Sequence, residues 1–264
     1  MGLAGSPRVP RLATIVGRSE VTPISMPTDT RVAAVYDIHG NLTALEAVLA
    51  EIVAERIGTV VIGGDIVWGP EPRACLELVM RLGTRAKFVR GNADREVADG
   101  YDAGEEIPPE LAQVTAWCQR QLNVAQRVFL GTLPDFQRLT IPGLGPTLFC
   151  HGSPRGDDEA ITGWMPEAQI APMVERVREA TIVCGHTHVH FDRVAAGKRI
   201  VNAGSVGLHH GPGACWAILG PEVELRRTTY DVDLAIARTT RSRVPGHEAL
   251  IYHLRNPDPN KRGS

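Results

Sequence analysis

Short runs of apolar residues alternate along the chain with segments of helical periodicity. The first run, residues 31–36, is apolar at successive positions, which predicts a strand buried on both faces. The next segment, residues 42–52, repeats its apolar residues at the spacing of an amphipathic helix. The predicted strands are residues 31–36, 59–62, 87–90, 136–141, 147–150, 181–184, 199–201, 215–219 and 223–230. The predicted helices are residues 42–52, 74–82, 109–130, 166–180 and 231–241.

The same pattern divides the chain into three parts. Residues 1–30 contain several prolines and no continuous apolar segment, so we expect a loosely ordered extension rather than a secretion signal. We expect residues 31–241 to form one domain, in which residues 95–146 depart from the strand–helix alternation as an insertion or cap. Within that insertion, the acidic, glycine-containing residues 99–106 predict a loop. Residues 242–264 are expected to form a tail that packs on the domain or trails from it.

Composition and charge narrow the classes of partner. The formal net charge of -2 gives no broad electrostatic attraction for nucleic acid or an anionic membrane surface. No apolar run approaches the length of a membrane span. The five cysteines are odd in number and form no C-x-x-C motif, which indicates free, buried thiols in a reducing compartment. We therefore expect a cytoplasmic protein.

Residues of metal-binding type follow the ends of five predicted strands. Ligands of open α/β sheets gather at the carboxyl ends of the strands, so we expect these side chains to meet there. If the turn after Gly185 is extended, His186 and His188 place both imidazoles on one face. An isolated His-x-His pair is more often two polar residues of a surface loop, so the interpretation depends on the whole set. The candidate ligands are Asp37, His39, Asp65, Asn92, His151, His186 and His188.

Seven oxygen and nitrogen donors are too many for one tetrahedral zinc ion. They suit two divalent cations that share one carboxylate, an arrangement that promotes in-line displacement at phosphorus. Imidazole, carboxylate and amide donors together favour transition metals over a soft thiolate site. We expect manganese first, with iron, zinc, nickel or cobalt as alternatives.

At these positions the chain resembles the calcineurin-like metallophosphoesterases, whose motifs are D-x-H, G-D, G-N-H-D/E, a lone H and G-H-x-H in that order. The match runs from residue 31 to about residue 207. The loop at 202–207, together with Tyr230 and Asp231, is similar to the small bacterial and archaeal branch of these phosphoesterases. The resemblance implies an α/β (α+β) fold, a four-layer αββα sandwich of two facing mixed β-sheets flanked by helices.

The resemblance also implies a role for each candidate ligand. Asp65 would bridge two metals, and a hydroxide between them would attack phosphorus. The residues that would hold one metal are Asp37, His39 and His188. Those that would hold the other are Asn92, His151 and His186. The residues that would act in catalysis are Asp37, His39, Asp65, Asn92 and His151.

The chain departs from the family motif at Ala93, where most members carry a histidine that protonates the leaving group or steadies the phosphate. A general acid typically contributes ~10²–10⁴ in rate. We therefore expect substrates whose leaving group needs no proton, namely phosphodiesters or activated phosphoesters. His209 and His210 are candidate substitutes for the missing histidine, although two solvated loop histidines are the simpler interpretation.

Four residues are candidate substrate contacts, and each has a structural alternative. Asn41 either binds phosphate or caps the helix that begins near Leu42, and the cap is favoured. Arg155 either clamps phosphate with its guanidinium fork or is a surface arginine. The acidic residues 157–159 beside it are expected to be a solvated run of charge. The candidate substrate contacts are Asn92, Asn41, Arg155 and His209.

The leading hypothesis is a dinuclear-metal-dependent phosphoesterase that acts on a small-molecule phosphoester or a phosphopeptide. The alternative is a phosphomonoesterase similar to protein serine/threonine phosphatases, and the third hypothesis is a non-catalytic metal-binding scaffold. The predicted hairpin at 215–230 presents an edge strand, with which a second chain could pair. The sequence therefore leaves an oligomer open.

Overall fold

The computed structural model describes Met1 and residues 29–101 and 107–258. Most of the predicted extension, residues 2–28, and part of the predicted loop, residues 102–106, lie outside the described residues. The strands are β1 Asp29–Val35, β2 Ile57–Ile62, β3 Ala86–Phe88, β4 Gln137–Ile141, β5 Gly145–Phe149, β6 Thr181–Cys184, β7 Phe191–Ala195, β8 Lys198–Asn202, β9 Ala214–Leu219 and β10 Val223–Thr228. The helices are α1 Leu42–Ala54, α2 Pro72–Met80, α3 Asn92–Asp99, α4 Pro109–Gln121, α5 Val124–Gly131, α6 Glu167–Val174, α7 Val232–Ser242 and α8 His247–Arg255.

Two mixed five-stranded sheets form the centre of the fold. The first has the order β10-β9-β1-β2-β3, in which β1, β2 and β3 are parallel and β9 and β10 run antiparallel to their neighbours. The second has the order β4-β5-β6-β8-β7, in which β5, β6 and β8 are parallel. The strands that precede the candidate ligands are the parallel ones, so their carboxyl ends share one edge of each sheet.

The alternation of side chains along β1 explains why its sequence is apolar throughout. Val35 belongs to a core shared with α1 and α2 on the outer face of the first sheet. Ala34 and the adjoining Tyr36 belong to a second core, shared with Phe149 and Val201 of the facing sheet. Both faces of the strand are therefore buried, as in sheets that are covered on both sides.

A third core lies between the second sheet and α6, where Ile170 packs with Ile182 and Ile200. The layers therefore follow one another as helices, first sheet, second sheet and helix. This confirms the predicted αββα sandwich.

The predicted helix at 109–130 is wrong, because two helices occupy the segment. Leu122 has extended backbone, with φ -100° and ψ 142°, and it ends α4. Asn123 then caps α5 by accepting a hydrogen bond from the backbone N–H of Gln126 at 2.9 Å. An asparagine three residues before a glutamine is a capping-box signal that interrupts an otherwise continuous apolar stripe.

Other elements differ in length or were not predicted. The helix predicted at 166–180 ends at Val174, and the helix predicted at 74–82 begins at Pro72, where a proline suits the first turn. The short helix α3 and the edge strand β7 were missed. In β7, half-buried and exposed positions alternate before the buried Ala195, and the charged residues Asp192 and Arg193 hide the apolar pattern.

Residues of the predicted insertion contribute to both halves of the fold. The buried side chains Val114 and Cys118 of α4 and Leu130 of α5 join the core of the first sheet. The following residues form β4 and the start of β5 in the second sheet. The tail contains α8, which packs against α7.

Two further expectations can be compared with the structure. All five cysteines are free and buried, as predicted. The predicted hairpin is present as β9 and β10, and β10 is an edge strand of the first sheet. Among the helices in the described ranges, none has the length and apolarity needed to cross a membrane.

Candidate metal centre

The structure brings all seven candidate ligands together where the parallel strands end. Each lies in a loop that follows a strand or in the first turn of the helix after it. Asp37 and His39 follow β1, Asp65 follows β2, and Asn92 begins α3 after β3. The remaining residues, which follow β5 and β6 of the facing sheet, are His151, His186 and His188.

One side of the cluster is formed by Asp37, His39 and His188, whose ligand atoms lie within 4.8 Å of one another. The Nε2 atom of His188 is 3.4 Å from Asp37 Oδ1. It is also 3.0 Å from the Nε2 atom of His39. Two ring nitrogens at this distance attract each other only with a proton or a cation between them, so the group is suited to a metal ion.

The other side of the cluster is formed around Asp65 and His151. The Nε2 atom of His151 is 3.4 Å from Asp65 Oδ1 and 3.8 Å from Asp37 Oδ1. The second oxygen of Asp65, Oδ2, is 3.6 Å from His39 Nε2. Asp65 therefore presents one oxygen to each side of the cluster, the position that a shared carboxylate requires.

His186 and Asn92 extend this second side. The Nδ1 atom of His186 is 3.1 Å from Asn92 Oδ1, and its ring lies 5.4 Å from that of His151. The amide nitrogen of Asn92 donates to Glu96 one helical turn later, at 3.2 Å. This contact turns the amide oxygen towards His186, and the i,i+4 spacing on a helix was the available signal for it.

Backbone carbonyls orient two of the imidazoles. The Nδ1 atom of His39 is 3.2 Å from the carbonyl oxygen of Trp68, and that of His151 is 2.8 Å from the carbonyl oxygen of Gly63. In a neutral imidazole, an Nδ1–H that donates to a carbonyl leaves the lone pair on Nε2, the nitrogen that faces the cluster in both residues. Backbone acceptors have no residue-type signature, so the sequence did not reveal them.

The backbone is strained at the cluster. Five of the eight non-glycine residues with positive φ in the described ranges are candidate ligands: Asp37, His39, Asp65, His186 and His188. Such conformations cost about 1–3 kcal/mol each and concentrate at functional sites, so this distribution points to function.

The turn after Gly185 is not extended, so the condition for both imidazoles to share one face is not met. His186 and His188 have φ values of 65° and 60°, in the left-handed region. Their imidazoles consequently face opposite sides of the cluster, His186 towards Asn92 and His188 towards His39.

Close backbone approach explains two of the glycines. A Cβ atom on Gly91 would lie 2.2 Å from Asp65 Oδ1, and one on Gly185 would lie 2.5 Å from Asp37 Oδ2. At the same points the backbone N–H of Ala93 donates to Asp65 Oδ1 at 2.9 Å, and that of His186 donates to Asp37 Oδ2 at 3.0 Å. The glycines therefore allow N–H groups to fix both carboxylates.

The electrostatics of the cluster favour bound positive charge. Burial raises the pKa of Asp65, but His151, His39 and His186 outweigh it and hold that pKa below its usual range. Burial alone would lower the pKa of His151, yet Asp65 and Asp37 raise it to about 10. Burial and the neighbouring His188 lower the pKa of His39 to about 4. Asp65 and Asp37 thus remain charged and His39 is neutral, and the negative field that favours a proton on His151 favours a metal cation in its place.

Unsatisfied atoms support the fit to metal ions. Among the described residues, the buried Asp37 Oδ1 and His151 Nε2 have no hydrogen-bond partner. Both atoms face the cluster, and buried polar atoms without a partner are costly unless an ion or a ligand satisfies them. The donor set, with carboxylate, imidazole and amide groups, suits divalent transition metals.

Ala93 is buried in the first turn of α3, where the family motif has a histidine. The next residue, Asp94, accepts hydrogen bonds from the backbone N–H groups of Ile66 at 2.9 Å and Gly91 at 3.3 Å. Burial, together with Asp65, raises the pKa of Asp94 to about 7. Asp94 therefore holds the loops after β2 and β3 together.

His209 and His210 are buried, so the preferred interpretation of solvated loop histidines is wrong. The Nδ1 atom of His209 lies 2.7 Å from the carbonyl oxygen of Gly211, and its Nε2 atom lies 2.8 Å from the hydroxyl of Tyr230. Both ring nitrogens of His209 are thus used within the fold. The ring of His210 lies 6.2 Å from that of His188, one of the clustered residues.

Asn41 forms the predicted helix cap. Its Oδ1 atom accepts a hydrogen bond from the N–H of Ala44 at 3.1 Å. Its amide nitrogen donates to the carbonyl oxygen of Gly207 at 3.2 Å, which ties α1 to the loop after β8. Ser205 of that loop, which was not predicted to have a role, donates its hydroxyl to the carbonyl oxygen of Asp37 at 2.8 Å.

The environment of His209 predicts acid sensitivity of the fold. Burial lowers its pKa to about 4, so between its ordinary value of 6.5 and this value the unfolded chain binds the additional proton. Stability falls as the pH falls through this window, by about 1 kcal/mol per pH unit for this residue. We expect His209→Gln to lose less unfolding free energy than the wild type between pH ~7 and pH ~5 in urea titrations with chelator. His247→Gln, the same change at a half-buried histidine, is the control variant. An equal loss of unfolding free energy in the wild type and in His209→Gln contradicts the expectation.

Arg155 and the acidic residues 157–159 are part of one hydrogen-bonded loop. Arg155 pairs with Glu159, which also accepts a hydrogen bond from Ser153. Asp157 pairs with Arg95 of α3, with distances of 2.8 and 3.3 Å to its two oxygens. The expected solvated run of charge is therefore wrong for Asp157 and Glu159.

A family model and a curated protein both match this chain over most of its length. The family model of the calcineurin-like phosphoesterase superfamily domain matches residues 31–222, a range that contains all seven clustered residues. Among curated proteins, an uncharacterized protein of Methanocaldococcus jannaschii is 27% identical over 237 residues, which cover 81% of this chain and 93% of that protein.

Two solved structures are also similar to this chain in sequence and fold. A metallophosphoesterase from Sphaerobacter thermophilus is 29% identical with a TM-score of 0.70, and the match covers 86% of this chain and 98% of that one. A hypothetical protein from Pyrococcus horikoshii is 25% identical with a TM-score of 0.75, and the match covers 88% and 99% of the two chains. The similarity extends over nearly the full length of both structures.

Proposed function

The chain belongs to the calcineurin-like phosphoesterase superfamily, and on that premise we propose that it is a dinuclear-metal-dependent hydrolase of phosphodiesters or activated phosphoesters. The observation that carries the proposal is the position of Asp65, which presents one oxygen to each side of the histidine cluster. A carboxylate shared in this way is the arrangement expected between two cations.

The proposed ligands divide between two ions. Asp65 is the shared ligand. The backbone N–H of Ala93 donates a hydrogen bond to its Oδ1 atom, which keeps the carboxylate in place. When bound, two divalent cations supply Lewis acidity towards phosphate oxygens and lower the pKa of a water molecule. Manganese is the proposed ion, with iron, zinc, nickel or cobalt as alternatives. The proposed ligands of the first ion are Asp37, His39 and His188, and those of the second are Asn92, His151 and His186.

The residues of the chain set the geometry and charge for the reaction. The carbonyl oxygens of Trp68 and Gly63 fix the rings of His39 and His151, so that both Nε2 atoms face the reacting centre. Asn92 is a neutral ligand, which limits the negative charge that an incoming phosphate meets. The proposed compartment is the cytoplasm, because five free and buried thiols are typical of a reducing environment.

The proposed preference for diesters rests on Ala93 and on the internal bonds of His209. Alanine provides no proton for a leaving group, and both ring nitrogens of His209 are used within the fold. A substrate that needs general-acid assistance is therefore hydrolysed more slowly, by roughly 10²-fold or more. A small-molecule phosphoester or phosphodiester with an acidic leaving group is consequently a better candidate substrate than phosphoserine or phosphothreonine, whose alkoxide leaving group needs a proton.

The test is to compare turnover of bis-p-nitrophenyl phosphate and p-nitrophenyl phosphate by protein reloaded with manganese after chelation. We expect turnover of the diester to exceed that of the monoester and to disappear on renewed chelation. A preference for the monoester contradicts the diester assignment and supports the phosphomonoesterase alternative. Two bound metals without turnover of either substrate support the scaffold alternative.

A further inference from the structure

A cavity of about 200 Å³ opens beside His151, on the side of the proposed metal centre that faces α3. Its lining contains the three arginines Arg90, Arg95 and Arg155. The two carboxylates in the lining belong to Asp135 and Asp157. A space of this size holds a small charged group and a few attached atoms, and it is smaller than the pockets of about 300–1,000 Å³ that hold larger ligands.

Two of the three arginines are bound to the two aspartates. Arg90 donates to Asp135 Oδ1 at 2.9 Å, and Arg95 holds both oxygens of Asp157. The pair of Arg95 and Asp157 joins α3 to the loop after β5, and both side chains are only 19% exposed. In both pairs the charges of arginine and aspartate already balance. The paired side chains form walls of the cavity and give it its shape.

Arg155 differs from the other two arginines. Its Nε and Nη2 atoms donate to Glu159, which is not part of the lining. Within the described part of the chain, its Nη1 atom has no hydrogen-bond or ion-pair partner, and its side chain is 50% exposed. One donor edge of the guanidinium group is therefore available to an anion.

The loop that carries Arg155 is held in a fixed shape. Ser153 Oγ accepts a hydrogen bond from the backbone N–H of Arg155 at 3.0 Å. The N–H of Ser153 donates to the carbonyl oxygen of Gly156 at 2.9 Å. A Cβ atom on Gly152 would lie between 2.6 and 2.9 Å from three carbonyl oxygens of the same loop, so only glycine fits there. A loop fixed in advance loses little entropy when a ligand binds.

We propose that this cavity is a second anion site, in which Arg155 binds a carboxylate or phosphate group carried by the substrate a few atoms from the scissile phosphate. The inference rests on the proposed function, because it takes the scissile group to lie beside His151. It narrows the substrate class to phosphoesters that carry a second anionic group, separate from the scissile phosphate. Arg155 is then a specificity-determining residue that contacts this second group.

Binding of two matched probes to manganese-loaded protein tests the proposal. 3-Phosphoglycerate and glycerol 3-phosphate are alkyl phosphomonoesters, which the proposed enzyme hydrolyses slowly, so they serve as binding probes. The first carries a carboxylate where the second has a hydroxymethyl group. We expect calorimetry to show about tenfold tighter binding of 3-phosphoglycerate by the wild type, the range of a charged hydrogen bond. In Arg155→Ala the advantage is expected to fall below about threefold, while the affinity for glycerol 3-phosphate stays nearly constant.

Arg73→Ala is the matched control. Arg73 is exposed and pairs with Glu77 four residues later, as Arg155 does with Glu159, and it lies outside the cavity lining. This variant is expected to keep the full advantage of 3-phosphoglycerate. Equal affinity of the two probes in the wild type, or an unchanged advantage in Arg155→Ala, overturns the proposal. If the preference holds but no phosphoester is hydrolysed, the proposed function fails and the anion site stands.

Discussion

Asp65→Asn is expected to lower turnover of bis-p-nitrophenyl phosphate by roughly 10³-fold or more and to reduce the metal content of the protein. The carboxylate oxygens of Asp65 lie 3.4 and 3.6 Å from His151 Nε2 and His39 Nε2. An amide keeps the shape of the side chain but loses the charge that both proposed cations share. Turnover is measured with the diester, and bound manganese is measured in the same samples.

The control for this substitution is Asp233→Asn, the same chemical change at an exposed position in the first turn of α7. It is expected to leave both metal content and turnover at the wild-type level. If Asp65→Asn retains full turnover, the assignment of Asp65 as the shared ligand is wrong. If it loses turnover but keeps all of its metal, Asp65 acts on the substrate instead.

Gly64→Ala is expected to lower the free energy of unfolding by about 3–5 kcal/mol and to abolish turnover. Gly64 has a φ of +99°, and a Cβ atom there would lie 2.5 Å from Gly91 N and 2.7 Å from His151 Nδ1. Two backbone segments and a proposed ligand would have to move apart. The unfolding free energy is measured in urea with chelator present, so that differences in metal binding do not contribute.

Gly197→Ala separates crowding from backbone strain. Gly197 also has a positive φ, +72°, but a Cβ atom at this position meets nothing within 4 Å. Its loss of stability is expected to be about 1–2 kcal/mol, the cost of the left-handed conformation alone. Equal losses in the two variants would show that close packing of the loops after β2 and β3 does not stabilise the site.

The strands and most of the cluster were predictable because they depend on local sequence. Apolar runs such as residues 59–62 and 181–184 identify strands buried on both faces, and the ligands follow them directly. The parallel order of these strands then brings the ligands to one edge. The position of a residue directly after an apolar run, together with its type, was therefore sufficient to predict the clustered ligands.

Features that depend on long-range geometry were not predictable. Arg95 and Asp157 are separated by 62 residues, and nothing in the sequence pairs them. The carbonyl oxygen of Trp68 that orients His39 is a backbone atom, which any residue type provides. The left-handed backbone of His186 and His188 is accompanied by a tertiary contact, from the N–H of His186 to Asp37 Oδ2, and the sequence pattern alone does not reveal it.

The most direct test of the dinuclear centre is the number of manganese ions bound per chain after chelation, reloading and removal of free metal, measured by elemental analysis. The proposed function predicts about two ions in the wild type, held by the two sides of the Asp and His cluster. It also predicts a loss of bound manganese in Asp65→Asn. A wild-type protein that binds no stoichiometric metal would contradict the central claim.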